Sequence, residues 1–189
     1  MLIGNIDEQR LVRRLRNGEN GAMEEFYSRY APYLKGVCSR YITDKEDAKD
    51  VLQNALVRII THTRDFQYHG QGSLRAWASR IIVHEALRFL NDMKRHELTT
   101  QDDDMMDVTE VDDPPIEDIP PEVIQLMIRQ LPTGYRTVFN LHVFEDKSHE
   151  EIARLLGISI GTSTSQFYRA KNLLADMIRE YKEKKQLPR

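Results

Sequence analysis

TDKEDAKDVLQNALVRII, residues 43–60, decides the fold class. Its apolar residues Ala48, Val51, Leu52, Ala55, Leu56, Ile59 and Ile60 recur at the i, i+3, i+4, i+7, i+8 spacing of one helix face. Thr43 with Glu46 predicts a capping box, and Asp44, Glu46 and Asp47 suit the positive end of the helix dipole. Asp47, Asp50, Gln53, Asn54 and Arg58 lie off the stripe and are expected on the open face. Working outward, residues 7–17 carry Leu11, Val12 and Leu15 and predict a short amphipathic helix that ends near Asn17-Gly18. Residues 20–41 predict a second, with Ala22, Phe26, Tyr30, Tyr33, Leu34, Val37, Cys38 and Tyr41 on its buried side and Pro32 as a kink or break. On the other side of 43–60, Phe66–Gly72 is a loop of breakers and aromatics, with Ser73 as the expected cap of a helix over 74–95. No period-two strand pattern and no tandem repeat occurs.

The C-terminal third carries a helix-turn-helix pattern. Short helices are expected over 122–131 and 133–145, the latter with Tyr135, Val138, Phe139, Leu141 and Val143 apolar. Ser148 and Glu151 form a second capping box. Ala153 is small enough for a crossing helix, and Gly157 supplies the left-handed residue of a tight turn. The following helix, over 161–180, presents Thr162, Thr164, Ser165, Gln166, Arg169 and Lys171, with Phe167, Ala170, Leu174, Met177 and Ile178 facing in. Hydroxyl, amide and guanidinium groups at the start of a second helix suit reading of a major groove. Ser163 stands where many such motifs place Val or Ile.

Charge is divided by segment. The net charge of −3 conceals a block of ten acids and no base over residues 102–122. Residues 1–101 and 123–189 are each mildly basic. The acidic block also holds Pro114, Pro115, Pro120 and Pro121, and two Pro-Pro pairs among like charges form neither helix interior nor core. It is expected to be an extended, flexible tether. It serves as a solvated loop, or as an acidic strand that lies along a basic channel or shields the chain's own basic faces; charge does not separate these. The expected organisation is all-α: a domain over 1–97, an acidic linker over 98–121 and a helix-turn-helix domain over 122–183.

Several chemistries are disfavoured. Cys38 is the single cysteine, so neither an internal disulfide nor a Cys-rich zinc site is available, and a reducing cytoplasm is the expected location. No secretory signal and no apolar run of membrane-spanning length is present. His84-Glu85 and His149-Glu150 lack the second histidine of a zinc-protease motif, and Gly70-Gln71-Gly72 has no following Gly-Lys-Ser/Thr. No catalytic group, cofactor or metal is expected.

The order of these features resembles the short, two-domain extracytoplasmic-function sigma factors of bacterial RNA polymerase. DKEDAKDVLQNALVRI (44–59) resembles their core-binding segment, and FQYHGQGSLRAWASRIIVHEALRFL (66–90) the stretch that melts and reads the −10 promoter element. LPTGYRTVFNLHVFEDKSHEEIARLLGISIGTSTSQFYRAKNLL (131–174) resembles their −35-binding domain. His84, Arg88 and Thr164 depart from the residues usual at their positions. The resemblance implies that Asp47, Asp50, Gln53 and Asn54 dock on core RNA polymerase. It implies that Tyr68, His69, Gln71, Ser73, Arg75, Arg80, His84 and Arg88 bind −10 DNA. It further implies that Thr162, Ser163, Thr164, Ser165, Gln166, Arg169 and Lys171 bind −35 DNA, Thr162 and Ser163 through a phosphate at the helix N-terminus. Core polymerase and promoter DNA are the implied partners, an anti-sigma factor is a common further one in the family, and the free chain is expected to be a monomer. The residues alone leave open a stand-alone helix-turn-helix regulator, or an adaptor that binds polymerase but not promoter.

Overall fold

The computed structural model describes residues 4–96 and 114–186, with side chains from Glu8 to Met93 and from Pro114 to Lys185. Every regular element among the described residues is helical, and the chain divides into two compact units, Met1–His96 and Glu97–Arg189. None of the described helices is long and apolar enough to cross a membrane.

The first unit comprises α1 (Gly4–Arg16), α2 (Ala22–Tyr41), α3 (Lys45–His62), a 3-10 turn (Thr63–Asp65) and α4 (Ser73–His96). Helices α2, α3 and α4 pack against one another, and α1 lies on α2 and the 3-10 turn. The largest fully buried side chains here are Tyr41, Phe26, Leu11, Leu34, Ile59, Leu74 and Ile82. Helix α2 runs through Pro32 without a break. A proline inside a helix costs about 3 kcal/mol, and the buried row Phe26, Tyr30, Leu34, Val37 and Tyr41 outweighs it. Burial pushes the Cys38 thiol up to about 11, which leaves it unreactive.

Three local expectations are corrected. Asp44, not Thr43, caps α3: its Oδ1 accepts from the Glu46 and Asp47 amides at 2.9 and 3.0 Å. Tyr33 is exposed rather than buried, and its ring takes the Arg75 guanidinium 5.0 Å from its centroid. Ile60 lies at the edge of the α3 stripe and is 50% exposed, as its neighbour Val57 is at 55%.

The second unit comprises α5 (Pro121–Gln130), α6 (Thr133–Val143), α7 (His149–Leu156) and α8 (Ile160–Gln186). Its core joins Met127, Ile128 and Leu131 to Ala170, Leu174 and Ile178 of α8. Val143 of α6 is exposed, while Arg136, Thr137 and Asn140 are buried. Ile119 also enters this core, and the Pro115 and Asp118 carbonyls accept from Lys182 and Lys185. The end of the segment read as linker is therefore part of the second unit: one buried isoleucine anchors a stretch that charge and proline alone mark as tether. Asp102, Asp103, Asp104, Asp107, Glu110, Asp112 and Asp113 lie outside the described residues.

Candidate nucleic-acid interface

The loop between the 3-10 turn and α4 is anchored at both ends. At one end Phe66 is buried against Trp77, with ring centroids 4.9 Å apart. At the other, Gly72 adopts φ +86°, a left-handed conformation that strains any side chain. Ser73 does not cap α4, as expected from sequence; it is the first helical residue, and its Oγ accepts from the His69 amide at 3.3 Å. The capping acceptor comes from 64 residues upstream. Glu8 of α1 is 3% exposed, and its carboxylate accepts from the Gly72 amide at 3.0 and 3.1 Å, the Leu74 amide at 3.2 Å and the Tyr30 hydroxyl at 3.0 Å. A carboxylate at a helix N-terminus satisfies orphan N–H groups and the dipole together. Burial and the Glu8 carboxylate push the Tyr30 phenol up to about 12, so it stays a donor. Sequence reading missed Glu8 because a lone acid in an amphipathic helix resembles a solvated one. Its position three and four residues before Leu11 and Val12, on the stripe that they share with Leu15, was the available signal.

Between these anchors the loop displays its polar groups. His69 and Gln71 are exposed and Tyr68 is half-buried. On α4, Arg75, Arg80, His84 and Arg88 are exposed, the last three in register at four-residue steps. Arg88 pairs loosely with Asp92 at 4.0 Å. Beside this row a cleft of about 200 Å³ is lined by Arg58, His62, Trp77, Ile81, His84 and Glu85. Glu85 is buried and holds the Arg58 Nε at 2.5 Å, so Arg58 is fixed at the cleft wall.

The docking candidates share one face of α3. Asp50, Gln53 and Asn54 are exposed, and Asp47 is half-buried with its amide held by the Asp44 cap. Val57 and Ile60 continue this row, one and two turns beyond Gln53. An acidic and amide row that ends in two exposed aliphatics combines charge steering with apolar contact area.

In the second unit the turn is built as expected. Ser148 and Glu151 form the complete capping box, and Gly157 is left-handed with φ 64°. The Ser148 amide and Lys147 hold the Glu151 carboxyl down to about 2. The head of α8 differs from expectation at one position. Ser163 is fully buried and meets His149 Nδ1 at 2.9 Å, so it is not an outward DNA contact. The reason is its register: Ser163 lies one turn before Phe167 on the face that packs against α7. Where an aliphatic residue is usual, this chain substitutes a polar pair. His149 also stacks on His142 at 4.7 Å, and both rings meet Phe167 edge-on.

The other residues of α8 stand as follows. Thr162 is half-buried, with its amide on Ser159 Oγ at 2.9 Å and its hydroxyl 2.8 Å from the same atom. The hydroxyls of Thr164 and Ser165 donate to the Ile160 and Thr162 carbonyls, which leaves their lone pairs as acceptors. Gln166 lies against Gly134, where an added Cβ would come within 3.2 Å of its amide oxygen. Arg169 Nη1 donates to the Tyr135 hydroxyl at 3.3 Å, so α6 orients both long side chains. Lys171 is half-buried.

The buried pair is open to test. Ser163→Val alone strands the His149 ring nitrogen and lowers stability by about 1–3 kcal/mol. Ser163→Val with His149→Leu restores most of it, because loss of both polar partners removes the desolvation penalty. A double-mutant cycle in urea measures the coupling; additive losses would refute the pairing. Burial and the His142 charge depress the His149 pKa. A depressed base favours the fold fully above its ordinary value of about 6.5, and that contribution is lost as pH falls below it. The single variant His149→Leu removes this acid-side dependence.

Comparison with known proteins agrees with this geometry. Residues 26–96 match the Sigma-70 region 2 model, and residues 122–174 match the model for Sigma-70, region 4. The ECF RNA polymerase sigma-E factor of Haemophilus influenzae is 27% identical over 92% of this chain and 96% of its own length. The RNA polymerase sigma-H factor of Pseudomonas aeruginosa is 25% identical over 88% and 91%. The solved sigma factor RpoE in complex with the anti-sigma factor NepR, from Bartonella quintana, aligns over 84% of this chain and 98% of its own, at 20% identity and TM-score 0.47. The loop anchored ahead of α4, the polar face of α3 and the helix-turn-helix fall within the two matched regions, which together take in well over half of the chain. The chain belongs to the sigma-70 family of RNA polymerase sigma factors, in its extracytoplasmic-function branch.

Proposed function

We propose that this chain binds core RNA polymerase and carries it to specific promoters, the first domain opening the −10 element and the second gripping the −35 element. The observation that carries the reading is the loop 66–72, tied down by Phe66 and Glu8 while Tyr68, His69 and Gln71 remain at its surface beside an arginine-bearing helix. Extrusion of a base from duplex DNA costs a few kcal/mol. A loop whose end is already fixed by the hydrogen bonds of Gly72, and of Leu74 just beyond it, to one buried carboxylate spends little of its binding energy on its own ordering. Arg75, Arg80, His84 and Arg88 follow phosphates of the opened strand. Thr164, Ser165, Gln166, Arg169 and Lys171 face the −35 major groove, with Tyr135 and Gly134 orienting the arginine and the glutamine. The face of Asp47, Asp50, Gln53, Asn54, Val57 and Ile60 docks on a basic element of the polymerase. The chain supplies specificity and no chemistry of its own, acts where polymerase is, in the cytoplasm, and is a monomer when free. An anti-sigma factor that covers these faces is a further expected partner.

Reconstitution with core polymerase tests the docking. Asp50 is fully on the open face, so Asp50→Arg keeps the fold and weakens core binding by about 30-fold or more. Retention of Asp50→Arg on core enzyme at wild-type level would reject this face. A chain that binds promoter duplex equally well without polymerase would favour the stand-alone regulator.

A further inference from the structure

Helix α1 carries four arginines in its last two turns, and they divide into two sets. Arg14 is saturated: it pairs with Glu19 and Glu25 and reaches the Asn20 carbonyl. Arg10, Arg13 and Arg16 line a groove whose lining does not include Arg14. They are exposed and make no ion pair or hydrogen bond with any described side chain. Their three-residue spacing puts them in one row, about 4.5 Å of helix rise per step. The row lines this open groove of about 710 Å³, which Arg64 of the 3-10 turn and Tyr68 of the loop also line. Arg64 is likewise exposed and outside every ion pair among the described residues. Glu8, the acid nearest to the row in sequence whose side chain is described, is turned away into the core. Asp65 beside Arg64 is exposed, and it is the one acid adjacent to the four cations in sequence within the 3-10 turn. Four guanidinium groups line one groove, and no described acid pairs with any of them, so the groove carries a positive potential that favours an anion.

We infer that this groove binds the phosphates of single-stranded DNA, as a track along which the opened strand leaves the loop 66–72, with Tyr68 as the stacking platform at its entrance. The inference rests on the proposed −10 reading and adds a site to it: α1 lies outside the region 2 match, which begins at residue 26. A row of cations that ends on an aromatic ring is the pattern for single strands, whose bases are free to stack. Duplex DNA offers phosphates but no exposed base face for Tyr68. An acidic protein segment would use the arginines and leave the ring idle. The placement also gives Glu8 a second consequence. By fixing α1 to the start of α4, it fixes the arginine row relative to the loop that starts the strand on its path.

Holoenzyme assembled from core polymerase and the full chain tests this, with Arg10→Ala, Arg13→Ala and Arg16→Ala combined. The probes are promoter DNA selected by the wild-type holoenzyme, once with a single-stranded non-template tail beyond the −10 element and once trimmed to the duplex upstream of it. Each arginine that neutralises a single-strand phosphate contributes about 0.7 to the salt slope. Between about 50 and about 200 mM salt, wild type therefore loses about 20-fold more affinity for the tailed probe than the triple variant does. The two bind the trimmed probe alike. Tyr68→Leu weakens the tailed probe about tenfold with an unchanged salt slope. Equal salt dependence of wild type and triple variant on the tailed probe overturns the inference while the −10 reading stands. Loss of core retention by the triple variant also overturns it, in favour of a protein-docking surface. Wild-type holoenzyme that ignores both probes overturns the −10 reading and this site with it.

Discussion

Glu8→Ala lowers the stability of the first domain by about 3–5 kcal/mol, a large effect for a single side chain near the N-terminus. The substitution removes one acceptor that serves three donors: the Gly72 amide, the Leu74 amide and the Tyr30 hydroxyl. Each buried donor left dry costs about 1–3 kcal/mol. Glu8→Gln keeps one oxygen acceptor and loses the charge at the helix N-terminus, so it falls between. Trp77 is the sole tryptophan and lies against Phe66 beside the affected loop, so its fluorescence in urea reports this domain specifically. The alkaline limb gives a second readout. A phenol whose pKa is raised from 10 to about 12 stabilises the fold fully below pH 10, and that stability is lost as pH rises through 12. Removal of the Glu8 carboxylate takes away part of the upward shift of Tyr30, so the variant loses less stability than wild type as pH rises from 10 to 12. A Trp77 transition at wild-type urea concentration in Glu8→Ala would refute the clamp.

Arg136→Leu lowers the stability of the second domain by about 2–4 kcal/mol. Arg136 is 5% exposed and donates to the Leu131 carbonyl at 2.7 Å, the Arg129 carbonyl at 3.4 Å and Thr133 Oγ1 at 3.3 Å. It thereby satisfies the C-terminal carbonyls of α5 and locks α5 to α6. Burial and the Arg129 charge lower its pKa, yet an arginine remains protonated. Arg136→Lys recovers less than half of the loss, because one ammonium does not match the fork that spans three acceptors. Hydrogen exchange locates the change: amides of α5 and α6 lose protection, while the Trp77 transition of the first domain is unmoved. Wild-type protection in α5 for Arg136→Leu would mean that water replaces the guanidinium.

Helices and their order were legible because each one carries an apolar stripe at the 3.6-residue period, most clearly at 48–59 and 152–174. Gly157 and the Ser148–Glu151 box were legible because they act within a few residues of each other. The errors share a cause. Asp44 displaced Thr43 as a cap because two candidates stood side by side, and local pattern does not rank them. Tyr33 and Ile60 sit at stripe edges, where the 3.6-residue period alone does not separate cover from solvent. Ser163 reads as a phosphate contact because it stands near the N-terminus of α8; only the meeting of α7 and α8 reveals His149 across from it. Glu8 and Arg136 were passed over for a related reason. A charged residue reads as surface unless its partners are known, and here those partners are backbone groups brought in by the fold. The exposed cations Arg75, Arg80 and Arg88 required no such knowledge, since an off-stripe arginine is open by default.

Run-off transcription from a promoter selected by the holoenzyme puts the initiation role to direct test. Core RNA polymerase alone should give no specific transcript. Addition of this chain should yield one transcript with a single start, and Asp50→Arg and Glu8→Ala should each reduce it, the first by loss of core binding and the second with core binding retained. Specific initiation by core enzyme that is unchanged by the chain, or a chain that occupies the promoter but blocks the polymerase, would contradict the role.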